Sequence, residues 1–598
     1  MFDLLWLTAA APFAGAAILL LLGPRFPRKA VAAIGVLSIA ISAAAAGLIT
    51  WQFLSTPPAG NAYTQHLWTW IGIGDFRPEI ALHLDSLSVV MLLVITFVAF
   101  LIHLYSVEFM RGDEGYSRFF AYMNLFVGSM VMLVLAGNLL LLYLGWEGVG
   151  LCSYLLIGFW YQDPVNGRAG RKAFIVTRVG DTAMIIGLFL IFHGLGTLDI
   201  QEVLRRAPAV WPVGSAYAIA AAALLLGGAA GKSAQLPLQT WLPDAMAGPT
   251  PTSALIHAAT MVTAGVYLIA RMHALFELAP PVQLAVAVVG AATLLLAGTS
   301  ALAQSDIKRV LAYSTMSQIG YMFLALGVGA WPAAIFHFMT HAFFKALLFL
   351  AAGIVIEGLH EEHNIFRMGG LRRELPVAFW TFLIGGCSLA GLPLLTAGYY
   401  SKDWIIASAR GNEALWIAAL AGALLTSLYT FRLIFLVFFG PLGTPVTRRP
   451  GWAMQIPSWT LAGLSIAGGF DKRPFTHLFG AVEPATGVSS TVAGIAFIVG
   501  LAFAWAYRRR WAAMGAVERF WSAGWGFDWL YERLFVRPVV WAARVNRGDV
   551  IDSIYDGLAA GARAGYRALS WTETGNLRWY AAGIAFGSVL FVALVIFL

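Results

Sequence analysis

Long apolar stretches recur along almost the whole chain, and they restrict the fold more than any other feature. About sixteen of them approach the ~20 residues that a helix needs to cross the hydrocarbon core of a membrane. They are centred near residues 13, 42, 96, 127, 148, 184, 224, 262, 292, 318, 344, 383, 425, 462, 498 and 588. Only 11% of the residues are charged, whereas soluble domains carry roughly 25%. The sequence therefore predicts an all-α polytopic membrane protein with about sixteen transmembrane helices.

Basic residues follow the odd-numbered apolar stretches, and this pattern predicts the orientation. Arg25 and Lys29 follow the first stretch, and Lys308 and Arg309 follow the ninth. Because short cytoplasmic loops are enriched in lysine and arginine, we expect the N-terminus outside. The same rule explains the net charge of +8 without a nucleic-acid partner. The first stretch, residues 4–22, has no basic segment before it, which indicates a spanning helix rather than a cleaved signal peptide.

One apolar stretch is interrupted in the manner of an ion site. It begins near Ala216, carries Lys232 near its end, and is broken by Pro237, Pro243 and Pro251 before the next apolar helix. A proline inside a helix frees backbone carbonyls, and at membrane depth these are tolerated only in a protein-buried or wet cavity. A lysine in hydrocarbon is also costly unless it faces a polar interior. The alternative is a tilted helix end whose lysine reaches the membrane surface.

A second stretch repeats this pattern. A proline between two leucines interrupts both stretches, at positions 237 and 393, and the second break is followed by Lys402 and Asp403. Paired broken helices are typical of transporters built from internal repeats. We interpret Lys402 as an exit or terminal proton site, and an ordinary loop charge pair with Asp403 is the alternative.

Three further charged residues lie inside apolar stretches. Glu147 is an isolated acid, so it must be protonated or paired. Arg178 and Asp181 are three residues apart and share one helix face. They can pair with each other, or Asp181 can modulate Lys232. A purely structural bridge between Glu147 and a lysine is the alternative to a proton site.

A stripe of polar residues occupies one later helix. His337, His341 and Lys345 follow each other at intervals of four, with Thr340 beside them. The two histidines could bind a metal, but no nearby acid or cysteine completes a ligand set, and Lys345 would repel a cation. Because histidine titrates near neutrality, the stripe favours a proton relay. Satisfied core histidines are the alternative.

The segment 516–577 differs from the rest of the chain. It is rich in Asp, Arg and Trp, and its apolar residues recur at three- and four-residue spacing, as in a helix lying on a surface. About 45 helical residues would reach about 65 Å. Such a length favours a strut along neighbouring subunits, and a helix resting on lipid headgroups is the alternative. A last span, residues 578–598, follows.

Several kinds of chemistry are excluded. The two cysteines, Cys152 and Cys387, are far apart in sequence, so no cysteine cluster holds an iron–sulfur centre. The HEEH sequence at 360–363 has the wrong spacing for a metal motif, and Gly148-Val149-Gly150 lacks the strand–turn–helix context of a dinucleotide fold. We find no phosphate-binding loop. The sequence therefore predicts no cofactor and no metal on this chain.

Four long motifs carry a resemblance to a known family. They read LGWEGVGLCSYLLIGFWY, GKSAQLPLQTWLPDAMAGPTPTSALIHAATMVTAGVYLIAR, SDIKRVLAYSTMSQIGYM and FHFMTHAFFKALLFLAAG. They resemble the antiporter-like subunits of respiratory complex I, and the long amphipathic segment with its last span favours the L type, the counterpart of mitochondrial subunit 5. The match covers nearly the whole chain. Related Mrp-type cation/proton antiporter subunits share many of these motifs.

The resemblance implies a domain order with two inverted five-helix repeats, discontinuous helices and a long lateral amphipathic helix on the cytoplasmic side. The implied parts are N-terminal transmembrane helices (1–114), a first antiporter-like repeat (115–273), a linking helix (274–304), a second antiporter-like repeat (305–440), additional transmembrane helices (441–515), the lateral helix (516–577) and a C-terminal anchor (578–598).

The resemblance also implies a hydrophilic axis for protons. It pairs Glu147 with Lys232, places Asp181 with its neighbour Arg178 as a modulator of that lysine, and puts Lys402 with Asp403 in the second broken helix. The residues that would carry the axis onward are His257, His337, His341 and Lys345.

The function implied is that of a proton-translocating membrane-arm subunit of NADH:quinone oxidoreductase in a bacterial inner membrane. FMN, iron–sulfur clusters and quinone would belong to other subunits, and the M-type antiporter-like subunit would be the nearest partner. Alternatives are a subunit of a Mrp-like Na⁺/H⁺ antiporter, the membrane partner of an inorganic-carbon uptake complex, and a passive scaffold that holds the arm together.

Overall fold

Helices make up most of the chain in the computed structural model. The structure describes residues 1–74, 77–470, 475, 479, 487–507, 515–547 and 549–598. They divide into two compact units, Met1–Trp525 and Gly526–Leu598.

The first unit contains the helices and the only two strands described. Its elements, in chain order, are α1 (Leu5–Leu21), α2 (Arg28–Ser55), β1 (Ala62–Thr69), β2 (Glu79–Asp85), α3 (Ser86–Phe109), α4 (Tyr116–Leu135), α5 (Leu139–Ile157), α6 (Pro164–Leu195), α7 (Ile200–Val210), α8 (Ala216–Lys232), α9 (Thr250–Ala258), α10 (Ala264–Arg271), α11 (His273–Glu277), α12 (Pro280–Ala303), α13 (Ile307–Gly327), α14 (Trp331–Gly358), α15 (Leu371–Glu374), α16 (Pro376–Ala390), α17 (Ala397–Ser408), α18 (Glu413–Phe438), α19 (Trp452–Ala467), α20 (Gly487–Tyr507) and α21 (Gly515–Ser522).

Most of these helices are apolar along their whole length, as predicted. Among the described residues, eleven helices are long and apolar enough to cross a membrane, counting α9 and α10 as one. Three shorter apolar helices lie in α8, α16 and α20. Every predicted centre falls within a helix, except that residue 262 lies in a 3₁₀ turn, Met261–Thr263, between α9 and α10. The count of sixteen spans and the two inverted repeats stay predictions.

Both predicted helix breaks are present. The first separates α8 from α9 by an irregular linker, residues 233–249, that includes a 3₁₀ turn at Asp244–Ala247. The second separates α16 from α17. A linker side chain satisfies a carbonyl at the end of α8, because Trp241 Nε1 donates a hydrogen bond of 3.0 Å to the Gly231 oxygen. Irregular backbone is thereby accommodated inside the protein.

A β-hairpin that the all-α prediction missed precedes α3. Strands β1 and β2 pair antiparallel, with an irregularity between His66 and Trp68. The hairpin ends at Asp85, whose side chain accepts a hydrogen bond of 3.0 Å from Ser88 N and caps α3. Arg271 at the end of α10 forms a two-point ion pair with the same carboxylate. The hairpin therefore ties α3 to the second half of a broken helix.

The second unit holds most of the predicted lateral amphipathic helix, 516–577, which is interrupted rather than continuous. It contains α22 (Phe527–Tyr531), a π-helical turn at Glu532–Val536, α23 (Arg537–Val545), α24 (Val550–Ser570) and α25 (Leu577–Phe597). The helix breaks at Gly524–Gly526, because these three residues adopt φ of +58°, +60° and +75°, which no right-handed helix contains. It breaks again between α23 and α24, around Asn546 and Arg547.

Helices α12 and α13 approach each other through two glycines. A Cβ built on Gly320 would lie 2.7 Å from the Gly290 oxygen, and a Cβ built on Gly290 would lie 2.6 Å from the Gly320 oxygen. Since both neighbours are backbone atoms, neither can move away without shifting a helix. Glycine is required at this crossing because any side chain would separate the two helices.

We predict that Gly320→Ala destabilises the protein by about 1–3 kcal/mol through overpacking. The matched control is Gly463→Ala on α19, where a built Cβ meets nothing within 4 Å. Thermal unfolding of the detergent-solubilised protein checks this: the midpoint of Gly320→Ala should fall and that of Gly463→Ala should not. Equal midpoints would show that the crossing tolerates a side chain.

Candidate functional site

Lys232 is the last residue of α8, and its side chain is 1% exposed. Its Nζ lies 3.1 Å from Asp181 Oδ2 on α6, and the Asp181 side chain is also 1% exposed. The end of a helix carries partial negative charge, which favours a cation there. Lys232 therefore does not reach the membrane surface, and the alternative of a surface-seeking lysine is wrong.

The surroundings of this ion pair are built by three helices. Trp146 Nε1 on α5 donates a hydrogen bond of 2.6 Å to Asp181 Oδ1, while Oδ2 faces the Lys232 ammonium as an ion pair. Gly150, one turn further along α5, leaves room for the lysine, because a Cβ there would overlap Lys232 Nζ. Each buried charge depends on the opposite one, since removing one member of the pair leaves the other uncompensated.

Glu147 pairs with Arg178 rather than with Lys232, which corrects the predicted pair. The distance from Arg178 Nη1 to Glu147 Oε1 is 2.7 Å. Arg178 and Asp181 do share a face of α6, but each contacts a different helix: Arg178 reaches α5 and Asp181 reaches the end of α8. Of the two possibilities left open for Asp181, contact with Lys232 is the one observed. The site holds two adjacent ion pairs.

The predicted histidine stripe lies on α14 and is completely buried. His337 Nδ1 is 2.9 Å from Ser401 Oγ, which is in turn 2.7 Å from Thr340 Oγ1. The rings of His337 and His341 have their centroids 6.3 Å apart. Ser401 directly precedes Lys402 on α17, so the stripe contacts the second broken helix.

The stripe also contacts the first broken helix. His341 Nδ1 donates a hydrogen bond of 3.1 Å to the Ala258 oxygen, next to His257 at the end of α9. Lys345 Nζ donates to Ser314 Oγ at 2.6 Å on α13. Neither ring nitrogen of the fully buried His257 has a hydrogen-bond partner within the described chain. The predicted residues from His257 to Lys345 therefore lie together.

Lys402 and Asp403 are buried in α17 and not in a loop. Lys402 Nζ donates a hydrogen bond of 2.7 Å to the Leu389 oxygen near the end of α16. The same ammonium lies 5.4 Å from the centre of the Tyr321 ring. The alternative of an ordinary loop charge pair is therefore wrong, whereas the role of Lys402 as an exit site stays a prediction.

Lys308 is a buried polar residue whose environment the sequence did not indicate. The charge pattern grouped it with Arg309 as a loop residue, but its side chain is 2% exposed. Its Nζ donates hydrogen bonds of 2.7 Å to the oxygens of Met246 and Gly248 in the linker between α8 and α9. The sequence feature that could have indicated this burial is the position of Lys308, one residue inside an apolar helix.

Asp306 caps α13 and contacts a histidine of the loop after α14. Its carboxylate accepts a hydrogen bond of 3.0 Å from Arg309 N, and Oδ2 lies 3.2 Å from His363 Nδ1. Burial disfavours the charged His363 ring, but the hydrogen bonds to Asp306 and Glu361 outweigh this effect and raise the pKa of His363 to about 9.

Two sequence families cover the parts of the chain that build this site. Residues 136–428 match the NADH:quinone oxidoreductase/Mrp antiporter transmembrane family, and residues 70–120 match the N-terminus of chain 5 of NADH-ubiquinone oxidoreductase (complex I). The broken helices, the buried lysines and these matches define an antiporter-like membrane subunit.

Full-length relatives narrow this class. The chain is 53% identical to NADH-quinone oxidoreductase subunit L of Pseudomonas aeruginosa over 98% of both chains. It is 50% identical to subunit L of Escherichia coli over the full length of both, and 42% identical to subunit L of Mycobacterium tuberculosis over 98% and 97%. The chain belongs to the NADH-quinone oxidoreductase subunit L family, and the resemblance seen in its motifs is confirmed.

Solved structures show the same fold. The Mrp complex from Dietzia sp. matches with a TM-score of 0.76 at 28% identity, over 94% of this chain and 63% of that chain. The archaeal membrane-bound sulfane sulfur reductase matches with a TM-score of 0.71 at 25% identity, over 84% and 99%.

We predict that the stability contributed by His363 depends on pH. Its pKa is raised on folding, so the contribution is complete below pH ~6.5 and is lost as the pH rises through about 9. His363→Gln should therefore lower the thermal midpoint at pH 6 and leave it unchanged near pH 10. Asp306→Asn should weaken this pH dependence, because only Glu361 then stabilises the charged ring. A midpoint difference that is the same at both pH values would contradict the assignment.

Proposed function

We propose that this chain translocates protons within the membrane arm of an NADH:quinone oxidoreductase. Quinone reduction elsewhere in the complex would drive protons through its Glu, Lys and His axis. The observation that carries this proposal is the fully buried Lys232–Asp181 pair at the end of a broken helix. Burying a charged lysine in the membrane costs free energy, so such residues are rare there unless they serve a function. An intramembrane lysine is therefore interpreted as a functional site by default.

The two ion pairs on α6 supply a means of changing the charge of Lys232. While Asp181 faces Lys232, the ammonium form is stabilised. Arg178 and Asp181 share a helix face, because they are three residues apart. When Arg178 moves away from Glu147, it can therefore form an ion pair with Asp181. Lys232 would then lose its counter-charge and release its proton. Energy arriving from a neighbouring subunit would act on Glu147 or Arg178.

The residues beyond Lys232 provide later steps for the proton. His257 lies at the next helix break, His341 contacts the carbonyl beside it, and Lys345 follows one turn along α14. His337 then leads through Ser401 to Lys402. Histidine titrates near neutrality and so both accepts and releases protons readily. We infer that Lys402 and Asp403 form the terminal part of this route.

Redox chemistry would take place on other subunits. The two cysteines lie on different helices, α5 and α16, and both are free. Among the described residues, no group of three or more His, Cys, Asp or Glu side chains is placed to hold a metal ion. We propose that FMN, iron–sulfur clusters and quinone are bound elsewhere in the complex.

The Glu147–Arg178 pair supports a specific partner. It lies near the middle of two membrane spans, yet the Arg178 side chain is 43% exposed on this chain, beside the exposed Ile175 and Val179. An exposed ion pair at this depth is unfavourable against lipid. We propose that an M-type antiporter-like subunit covers this face. Charge changes would then pass directly between the two subunits.

The orientation of the chain in the membrane follows from the distribution of its basic residues. We propose a bacterial inner membrane location with the N-terminus outside and the amphipathic segment 516–577 on the cytoplasmic side. Its high content of both apolar and charged residues is compatible with contact along neighbouring subunits.

A Mrp-like Na⁺/H⁺ antiporter subunit is the second candidate function. The likeness to the Mrp complex structure favours it, but identity is 28% there and 50–53% to the first two subunit L relatives. A measurement of NADH oxidation by the purified complex distinguishes the two candidate functions. Oxidation of NADH would support the first, and Na⁺/H⁺ exchange without NADH oxidation would support the second.

We predict that Lys232→Ala lowers the proton-to-electron ratio of the intact complex in proteoliposomes. The change removes the protonatable group and leaves Asp181 without its partner. NADH oxidation and proton uptake are measured on the same vesicles. Lys29→Ala, an exposed lysine at the start of α2, serves as the control and should keep the native ratio. An unchanged ratio in assembled Lys232→Ala complex would refute the proposed function.

A further inference from the structure

Two close-packed pairs of helices meet at the buried ion pair. In the first, α6 and α8 touch through glycine: a Cβ built on Gly180 would lie 2.7 Å from the Gly227 oxygen. In the second, α4 and α5 touch in the same way: a Cβ built on Gly145 would lie 2.7 Å from the Leu133 nitrogen. Backbone atoms in contact cannot yield separately, so each pair is held as a unit. We call these units the α6–α8 pair and the α4–α5 pair.

Polar side chains connect the two pairs of helices. Trp146 Nε1 on α5 donates a hydrogen bond of 2.6 Å to Asp181 Oδ1 on α6. The next residue of α5, Glu147, forms the ion pair of 2.7 Å with Arg178 on α6. Because Trp146 and Glu147 are neighbours on one helix, a displacement of Glu147 relative to α6 also displaces the indole.

The indole of Trp146 fixes the orientation of the Asp181 carboxylate. The indole is completely buried, and its N–H can only donate. It holds Oδ1, which leaves Oδ2 directed at Lys232 Nζ, 3.1 Å away. Hydrogen bonds to a carboxylate are charge-assisted and therefore stronger than those between neutral groups. Trp146 thus retains Asp181 in the position that stabilises the Lys232 ammonium.

Helices α5 and α6 also approach each other near their connecting turn. A Cβ built on Gly170 of α6 would lie 3.1 Å from the Tyr154 oxygen and 3.2 Å from the Gly158 nitrogen. Tyr154 is eight residues along α5 from Trp146, a distance of about 12 Å on a helix. A tilt of α5 about this contact would move Trp146 and Glu147 together, while the connecting turn stays in place.

We propose that Trp146 is a positioning residue that makes the release of Asp181 from Lys232 depend on a displacement of α5 at Glu147. A neighbouring subunit that moves Glu147 withdraws the indole in the same step, so Asp181 and Arg178 become free together and can pair. Lys232 then gives up one proton toward His257, and Asp181 stays a carboxylate. This role rests on the proposed function of the chain.

The dependence on α5 would prevent futile proton release. While the indole holds Asp181, loss of the Glu147–Arg178 contact by thermal motion of the Arg178 side chain alone leaves Lys232 with its counter-charge. Without the indole N–H, Arg178 can take Asp181 at any time. Protons would then leave Lys232 out of step with quinone reduction, so electron transfer would continue with fewer protons moved per electron.

The first test is Trp146→Phe, which keeps an aromatic ring and removes the N–H. For the whole complex in proteoliposomes, we expect the proton-to-electron ratio to fall toward that of Lys232→Ala, while NADH oxidation continues at the native rate. The matched control is Trp160→Phe, because Trp160 Nε1 donates a similar bond of 2.8 Å to Asp113 Oδ2 outside the site. The control should keep the native ratio.

A packing role for Trp146 makes a different prediction, and an analogue separates the two roles. Benzothienylalanine incorporated at position 146 has the bicyclic shape of tryptophan but carries sulfur in place of the N–H. If Trp146 only filled space, this analogue would restore the native ratio. We expect the ratio to stay as low as in Trp146→Phe, and the analogue also decides the matter if Trp146→Phe does not assemble. Restoration of the native ratio would overturn the proposal.

The same measurements distinguish this proposal from the proposed function. A native ratio in Trp146→Phe, together with a lowered ratio in Lys232→Ala, would overturn the positioning role and leave the proposed function standing. A native ratio in assembled Lys232→Ala complex would refute the proposed function itself.

Discussion

The ion pair between Lys232 and Asp181 is the interaction on which the rest of the structure depends. Two charges with almost no exposure must be partnered, because removing one member of a buried pair costs about 3–5 kcal/mol. The pair fixes where α8 must end, and it aligns α6 with that end. Trp146 on α5 completes the carboxylate, so three helices are held in register by one carboxyl group. An irregular linker follows this helix end. Trp241 donates to the Gly231 oxygen of α8, and Lys308 donates to the Met246 oxygen of the linker.

The second ion pair gives the first one its functional meaning. Arg178 and Asp181 are one turn apart, yet one lies at the surface of this chain and the other is completely buried. A partner subunit that contacts Glu147 or Arg178 can therefore alter the electrostatics of Lys232 without contacting it. On the proposed function, this arrangement would connect a contact with a neighbouring subunit to a proton site inside the chain, over the width of a single helix.

The sequence identified the elements of the site better than their pairing. Helix breaks are local events caused by proline, and the spacing of His337, His341 and Lys345 is set by one helix, so both were predictable. The pairing of Glu147 depends on how α6 is rotated between α5 and α8, which no local pattern encodes. Lys308 was missed for a similar reason: its burial comes from a linker distant in sequence.

Two other differences between the prediction from sequence and the structure have simple physical causes. The strands of the hairpin β1–β2 have only eight and seven residues, and polar residues alternate with apolar ones in them, so they form no long apolar stretch. The amphipathic segment kept its predicted spacing but not its continuity, because Gly524 and Gly526 allow left-handed backbone that interrupts the helix. Hydropathy reports which residues face an apolar environment, whereas chain direction between such residues depends on local turn geometry.

The central claim is that Asp181 and Lys232 act as one unit in moving a proton, and a double-mutant cycle tests it most directly. Proton translocation by the reconstituted complex would be measured for Asp181→Asn, for Lys232→Ala and for the two changes together. The claim predicts that each single change impairs translocation and that the double variant is no worse than the more impaired single one, since both remove the same unit. Normal translocation in Asp181→Asn, or losses that multiply in the double variant, would contradict it.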